Sequence, residues 1–391
     1  MNPDHGPSFR KEEKEKGRRG DDSSVLCDYL QKLCQEYSQG KLEIRQTPHG
    51  LGAFAKADLH QGDVVCKIPR KTILSGLAPQ VHEDDRIRRL ANDPRINWET
   101  LLHVYMVLNR ETDPYLGSLP PTLTELDPDE LAGTNVASQI MRDRQNCTTQ
   151  YQFVCEILGE SPGFTLADLR LAKAVYNGRR YPLEFSLQLT EMLDDEAEQS
   201  RQEDNRPSKK YRREARAVFD PTQGSLVPIL DLFNHQRRDQ PHLSFQITEE
   251  SLIAVNELLL VKAGQEIHHN YDCANNDQCL HQFGFCESGD DDMNVFAVQV
   301  GRGQRFELRG HHPIPDELLA DGGHGLEQHL RAKLSLQASA PASENPHVQS
   351  YMEAQRNLIQ QLLAQLDQLV EEDDEMSATH KQMANVDDTD G

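Results

Sequence analysis

Pro228-Ile-Leu-Asp231-Leu-Phe-Asn234-His235 and Gly264-Gln-Glu-Ile-His-His-Asn-Tyr271 are the stretches on which the fold turns. The first is apolar and closes on Asn-His. It continues a strand-like pattern that begins at Ser225, so Asp231, Asn234 and His235 are expected at the end of a buried strand. The second is punctuated by glycine and predicts another strand, ending at Tyr271. Between them, His242–Ile247 and Leu252–Asn256 flank Thr248-Glu-Glu-Ser251, a hairpin connection. Downstream, Asn275 to Gln282 predicts a short helix stopped by Gly284, a residue suited to the left-handed end of a helix.

Working towards the N-terminus, the pattern changes to helix. Residues 75 to about 220 are expected to be mainly helical, with Trp98, Leu101, Leu102, Tyr105 and Leu108 on one face. Thr165 and Asp168 predict a capping box. Glu191–Asp204 is acidic and Arg206–Arg216 basic, which predicts an exposed loop. Earlier still, Lys41–Arg45, His49–Ala55 and Asp63–Pro69 read as strands, with Gly50-Leu51-Gly52-Ala53-Phe54 entering the second. Residues 1–24 read as a disordered, charged tail. Towards the C-terminus, Asp292–Val300 is strand-like, and Tyr351–Val370 predicts a helix with Tyr351, Leu358, Leu362, Leu366 and Leu369 on one stripe. Residues 371–391 read as an acidic tail. The fold class expected is α+β, a β-rich domain over 25–290 with a helical insertion at about 75–220, then a short helical region over 291–370.

Composition limits the function. The 391 residues carry 41 Lys and Arg against 64 Asp and Glu, a net charge of −23. That excess argues against direct nucleic-acid binding, which concentrates positive charge. No apolar run reaches the ~20 residues that span a bilayer, and the polar start lacks the apolar core of a signal peptide. The eight cysteines contain no CxxC pair, so no metal is expected, and the thiols read as reduced in a cytoplasmic or nuclear protein. Taken singly, a lone GxG is a tight turn, Asn-His a capped turn, and a strand-end tyrosine ordinary packing.

Their order says more. The glycine segment at 50–55, the phrase Pro114-Tyr-Leu-Gly-Ser-Leu-Pro120 in the helical insertion, Pro228–His235, and Gly264 to Phe285 together resemble the SET-domain methyltransferases. The resemblance covers roughly residues 41–290 and is closest to the branch of the plant Rubisco large-subunit lysine methyltransferase. It implies a SET fold split by a helical insertion, S-adenosylmethionine as cofactor, and methyl transfer to a lysine of a protein substrate. Main-chain groups of Leu51, Gly52 and Ala53 would hold the amino-acid end of the cofactor. Arg179, Asp231, Asn234, His235 and Phe283 would complete its pocket, and Tyr271 would be the catalytic tyrosine.

Departures from the family pattern are local. Asn177-Gly-Arg179-Arg180 stands where a Ser-Arg pair is usual, Phe283 where tyrosine is common, and Gln236 where serine often follows Asn-His. Leu230 replaces the tryptophan that precedes this aspartate in the actin-histidine methyltransferase, which favours lysine as acceptor. The other readings are a non-catalytic SET-fold interaction module and a histidine methyltransferase. The acidic balance favours basic protein substrates by long-range attraction; the sequence leaves the oligomeric state open.

Overall fold

In the computed structural model, residues 22–48, 50–119, 126–159, 162–181, 224–237, 242–287, 291–300, 304–319 and 323–386 are described. Residues 1–21 of the expected tail and the expected loop at 191–216 lie outside them, while residues 22–24, expected in the tail, form the first turn of a helix. In chain order the elements are α1 (Asp22–Tyr37), β1 (Leu42–Thr47), β2 (Gly50–Ala55), β3 (Leu59–His60), β4 (Val64–Pro69), α2 (Asp85–Ala91), α3 (Trp98–Asn109) and α4 (Pro114–Ser118). They continue with α5 (Asn135–Leu158), α6 (Leu166–Asn177), β5 (Arg180–Tyr181), β6 (Ser225–Leu226), β7 (Leu243–Ile247), β8 (Ser251–Asn256) and β9 (Leu260–Val261). The last are α7 (Asn276–Gln278), β10 (Phe296–Val300), β11 (Gln304–Leu308), α8 (His324–Ser339) and α9 (Pro346–Val386). Helices and antiparallel pairs coexist, an α+β architecture. Among the described residues no helix is long and apolar enough to cross a membrane.

The chain forms two compact units. The first comprises Met1–Ile73, Leu108–Leu119 and Val227–His269. Its β1–β2 hairpin pairs Leu42 with Ala55 and Ile44 with Ala53, and all four are buried. Alternation put these four on one face, as period two requires. Gly50 turns the hairpin at φ +110°, a conformation that side-chain-bearing residues rarely adopt. β8 is the centre of a β4–β8–β7 sheet. The Thr248–Ser251 hairpin forms as expected, closed by the Thr248 amide donating to the Ser251 carbonyl at 2.9 Å.

Two expected strands differ. Ser225–Asp231 is a strand only at Ser225–Leu226. Pro228 has no N–H for a ladder, and Ile229, fully buried, takes φ +74°. The chain then enters one 3-10 turn, Leu230–Leu232. Gly264–Tyr271 is not a continuous strand either. Gly264 turns at φ +83°, and the segment then shares its backbone between two neighbours. Ile267 N–H donates to the Ala53 carbonyl at 2.8 Å, while His269 N–H donates to the Asn234 carbonyl at 3.0 Å. What remains are single bridges, Phe54 with Glu266 and His235 with His269.

The second unit comprises Leu74–Val107, Pro120–Leu226 and Asn270–Gly391. The expected insertion helices are present over its described part. Both arms of the Thr165–Asp168 capping box form and start α6. β10 and β11 pack with α8 and α9 around Phe296, Leu330, Ile359 and Leu362. On α9, Tyr351, Leu358, Leu362 and Leu366 are buried as the stripe predicts, but Leu369 is 40% exposed. The helix continues past Val370 to Val386. Nothing between His347 and Val386 is proline or glycine, so no residue there breaks it.

Candidate functional site

The 3-10 turn at Leu230–Leu232 sets the geometry of the first unit's polar residues. It buries Leu230, Leu232 and Phe233 and delivers Asn234 beside β2. The Asn234 amide donates to Glu266 Oε1 at 2.7 Å and to the Leu51 carbonyl at 3.3 Å. Gly52 lies against this pair. A Cβ placed there would collide with Glu266 Oε1, and would sit 2.9 Å from Thr47 Cγ2 and 3.0 Å from Asn234 Nδ2. The backbone is therefore laid bare at this position because a side chain has no room. Ala53, next along β2, is fully buried.

His235 is bridged in parallel to His269, whose carbonyl also accepts from the Gln236 N–H at 3.2 Å. His269 lies edge-on to Phe245, with ring centroids 5.1 Å apart. Burial lowers the His269 pKa to about 4, aided by the neighbouring His235 and His242, so the ring is neutral at pH 7. Glu266 also faces His268, at 3.5 Å from Nε2. Asp231 Oδ2 accepts the Tyr115 hydroxyl at 3.1 Å. Tyr115 is buried on α4, whose first turn is capped by the Asp113 carboxylate. Two phrases 116 residues apart in sequence thus meet in one hydrogen bond.

Glu266 and Tyr115 stand within the motifs, but nothing in the sequence marks them as site residues. Their partners are more than 30 residues away, and only the folded register exposes the pairing. Together, the carboxylate of Glu266, the Leu51 carbonyl and the amide of Asn234 form an acceptor-rich cradle. It suits a ligand that presents ammonium, hydroxyl or sulfonium groups.

The second unit carries Arg179, Tyr271 and Phe283. Tyr271 packs on Phe283 with centroids 4.6 Å apart and on Phe285 at 6.4 Å, and the two phenylalanines are 6.1 Å apart. Asp272, at φ +53°, turns the chain immediately after Tyr271. The Asn275 side chain then caps α7 by accepting from the Gln278 N–H, and a π-turn, Cys279–Phe283, ends at Gly284 with φ +78°. That turn places Phe283 and Phe285 beside Tyr271. The Tyr351 hydroxyl holds it from beneath, donating to Asp277 Oδ1 at 2.6 Å, while burial raises the Asp277 pKa. After α6, Arg179 N–H donates to the Tyr176 carbonyl at 3.0 Å. Arg180, next along the chain, is paired with Glu99 at 3.3 Å.

Leu51, Gly52, Ala53, Asp231, Asn234 and His235 therefore belong to one unit, and Arg179, Tyr271 and Phe283 to the other. The chain passes from the first to the second at His269–Asn270, immediately before Tyr271 in sequence.

Comparison with known proteins gives one answer at three levels. The solved Rubisco large-subunit methyltransferase bound to lysine and AdoHcy superposes with a TM-score of 0.60 at 14% identity, over 88% of this chain and 91% of that one. The same enzyme bound to AdoMet gives 0.59, over 88% and 92%. At these identities the likeness is one of fold. N-lysine methyltransferase setd6 of Xenopus laevis is 25% identical over 265 residues, 63% of this chain and 53% of the relative. Its Danio rerio counterpart is 23% identical over 308 residues, 73% of this chain and 62% of the relative. The chain spans about half to three-fifths of the length of these curated relatives. The family model for the SET domain matches residues 50–272, more than half of the chain and every candidate residue except Phe283, and the protein belongs to the SET-domain family.

Proposed function

We propose that this protein is an S-adenosylmethionine-dependent protein-lysine N-methyltransferase. The observation that carries the reading is the Gly52–Asn234–Glu266 cradle; the Tyr271–Phe283–Phe285 ring cluster is a separate feature of the other unit. The cradle fits the cofactor. Bare backbone at Gly52 and acceptors from Leu51 and Glu266 suit its ammonium. Asn234 and His235 would meet the methionine and adenine portions. S-adenosylmethionine supplies, when bound, a methyl group activated on sulfonium for in-line displacement.

The chain's own residues do the rest. The three rings exclude water from a lysine side chain and favour its neutral amine, which free in water titrates near pH ~10.4. The Tyr271 hydroxyl would accept weak C–H contacts from the methyl, each worth about 0.5–1 kcal/mol. Asp231 is fixed by Tyr115 and braces the turn that presents Asn234. Most of the rate gain in such a transfer is alignment.

The acceptor is a protein lysine, in line with the naming of the curated relatives and with Leu230 before Asp231. The net charge of −23 favours a basic protein substrate. Free thiols at Cys34, Cys66, Cys147, Cys155, Cys273, Cys279 and Cys286 support a reducing compartment, cytosol or nucleus. The test is incubation of the purified protein with labelled cofactor and protein extracts, with mass spectrometry of the product. Methyl-lysine is expected, and Tyr271→Phe abolishes it while calorimetry still shows S-adenosylhomocysteine binding. No transfer and no cofactor binding by the wild type would refute the proposal, and methyl-histidine would overturn the choice of acceptor.

A further inference from the structure

We propose that Asp292, His311 and His312 form a site for a divalent transition-metal ion, zinc foremost, apart from the methyl-transfer residues. Each offers one donor atom, and the three lie within 4.8 Å of one another. His311 Nε2 is already 2.8 Å from Asp292 Oδ1, and the two imidazoles stand edge-on with centroids 4.4 Å apart. Around zinc, with bonds of about 2.0–2.2 Å, tetrahedral donors stand roughly 3.4 Å apart. Binding would draw the donors together by at most about 1.4 Å.

The backbones that carry these donors are held in place. Asp292 sits on a 3-10 turn, Asp291–Met293, anchored by buried Met293. The His311–His312 loop follows β11. Its His312 N–H donates to the Arg309 carbonyl at 3.2 Å, and Gln365 Nε2 on α9 donates to the Gly310 carbonyl at 2.6 Å. Gly310 lies so close to the Gln361 side chain that a Cβ would overlap it. Two fixed loops therefore aim three donors at one point, which lowers the ordering cost of binding.

Two imidazoles and one carboxylate suit zinc, nickel or copper better than calcium or magnesium, which take oxygen ligands. The side chains of His311 and Asp292 are 48% and 55% exposed, so a fourth position stays open to water. Bound metal would tie the turn before β10 to the loop after β11. This site uses histidine and carboxylate, and it is unrelated to the cysteine-bound zinc that the sequence argued against.

The experiment uses the full chain without a histidine tag, stripped with chelator. Cobalt(II) is titrated while its visible absorption is followed, and zinc is titrated by calorimetry. One equivalent is expected, with a cobalt spectrum of low coordination number and a zinc-dependent rise in Tm. Asp292→Asn, His311→Ala and His312→Ala each weaken binding at least tenfold, and the triple variant removes the spectrum and the Tm rise. Circular dichroism verifies that the variants fold. Absence of binding by the wild type, or equal binding by the triple variant, would overturn the proposal.

Discussion

Gly52→Ala tests the cradle with the sign of its effect. Gly52 lies in a strand with ordinary backbone geometry, where alanine alone would stabilise by about 0.5–1 kcal/mol through the unfolded chain. The new Cβ would overlap Glu266 Oε1 and crowd Thr47 Cγ2 and Asn234 Nδ2 at 2.9 and 3.0 Å. To admit it, Asn234 and Glu266 must separate. Their 2.7 Å bond is between an amide and a carboxylate, worth about 1.5–3 kcal/mol. The net expectation is a loss of about 1–2 kcal/mol, and Tm falls by a few degrees. If the pair shapes the cofactor site, the same displacement weakens S-adenosylhomocysteine binding about 5- to 30-fold, since 1.4 kcal/mol is tenfold. Thermal melting and calorimetry read the two effects. Gly50→Ala is the control for backbone strain alone, because Gly50 has φ +110° and no heavy atom within 4 Å. In a Glu266→Ala background, Gly52→Ala costs at least about 1 kcal/mol less, because the collision is gone. A Gly52→Ala protein that is as stable as the wild type or more so, with unchanged binding, would refute the reasoning.

Other outcomes follow from the same geometry. Burial lowers the pKa of His103 to about 3 and that of His269 to about 4, so the folded rings stay neutral while the unfolded ones take protons below about pH 6.5. Stability is therefore full above pH 6.5 and falls as pH drops towards 4, by about 1.4 kcal/mol per unit for each histidine; urea melts at pH 7.5 and 5 read it, and His103→Phe reduces the slope. Tyr115→Phe leaves Asp231 short of one hydroxyl donor and lowers stability by about 1–3 kcal/mol, with a larger effect on methyl transfer than on cofactor affinity, measured by steady-state kinetics. Thr165→Ala removes one arm of the α6 capping box and costs about 1 kcal/mol in a chemical melt, with cofactor binding unchanged.

Local chemistry was legible in the sequence and long-range chemistry was not. Alternation finds β1, the glycine-punctuated turn finds β2, the patterns flanking Thr248–Ser251 find β7 and β8, and the Thr165–Asp168 spacing finds the start of α6, because each depends on neighbours along the chain. The reading of Ser225–Asp231 as a strand failed at Ile229. Hydrophobicity marks this residue as buried, which it is, but a β-branched side chain gives no sign of φ +74°. The reading of Gly264–Tyr271 failed because its amides answer two different neighbours in turn. Of the candidate site, Gly52, Asn234 and Tyr271 stood out through their motifs, and the structure puts Gly52 against Asn234 and Tyr271 against Phe283. Glu266 and Tyr115 did not stand out. Nothing local distinguishes a solvent-facing glutamate from one that holds an asparagine across 32 residues.

The register of β4 bears on how the protein is made. Val64 pairs with Val255, so β4 leaves the ribosome about 190 residues before its partner. At about 5–20 residues per second, its edge stays open for roughly 10–40 s. During that time the β1–β2 hairpin can close by itself, whereas β4 offers an unpaired row of amides to any other chain. The protein's vulnerable period is thus fixed by topology, and nascent chains arrested before residue 242 should need a chaperone that the finished protein does not.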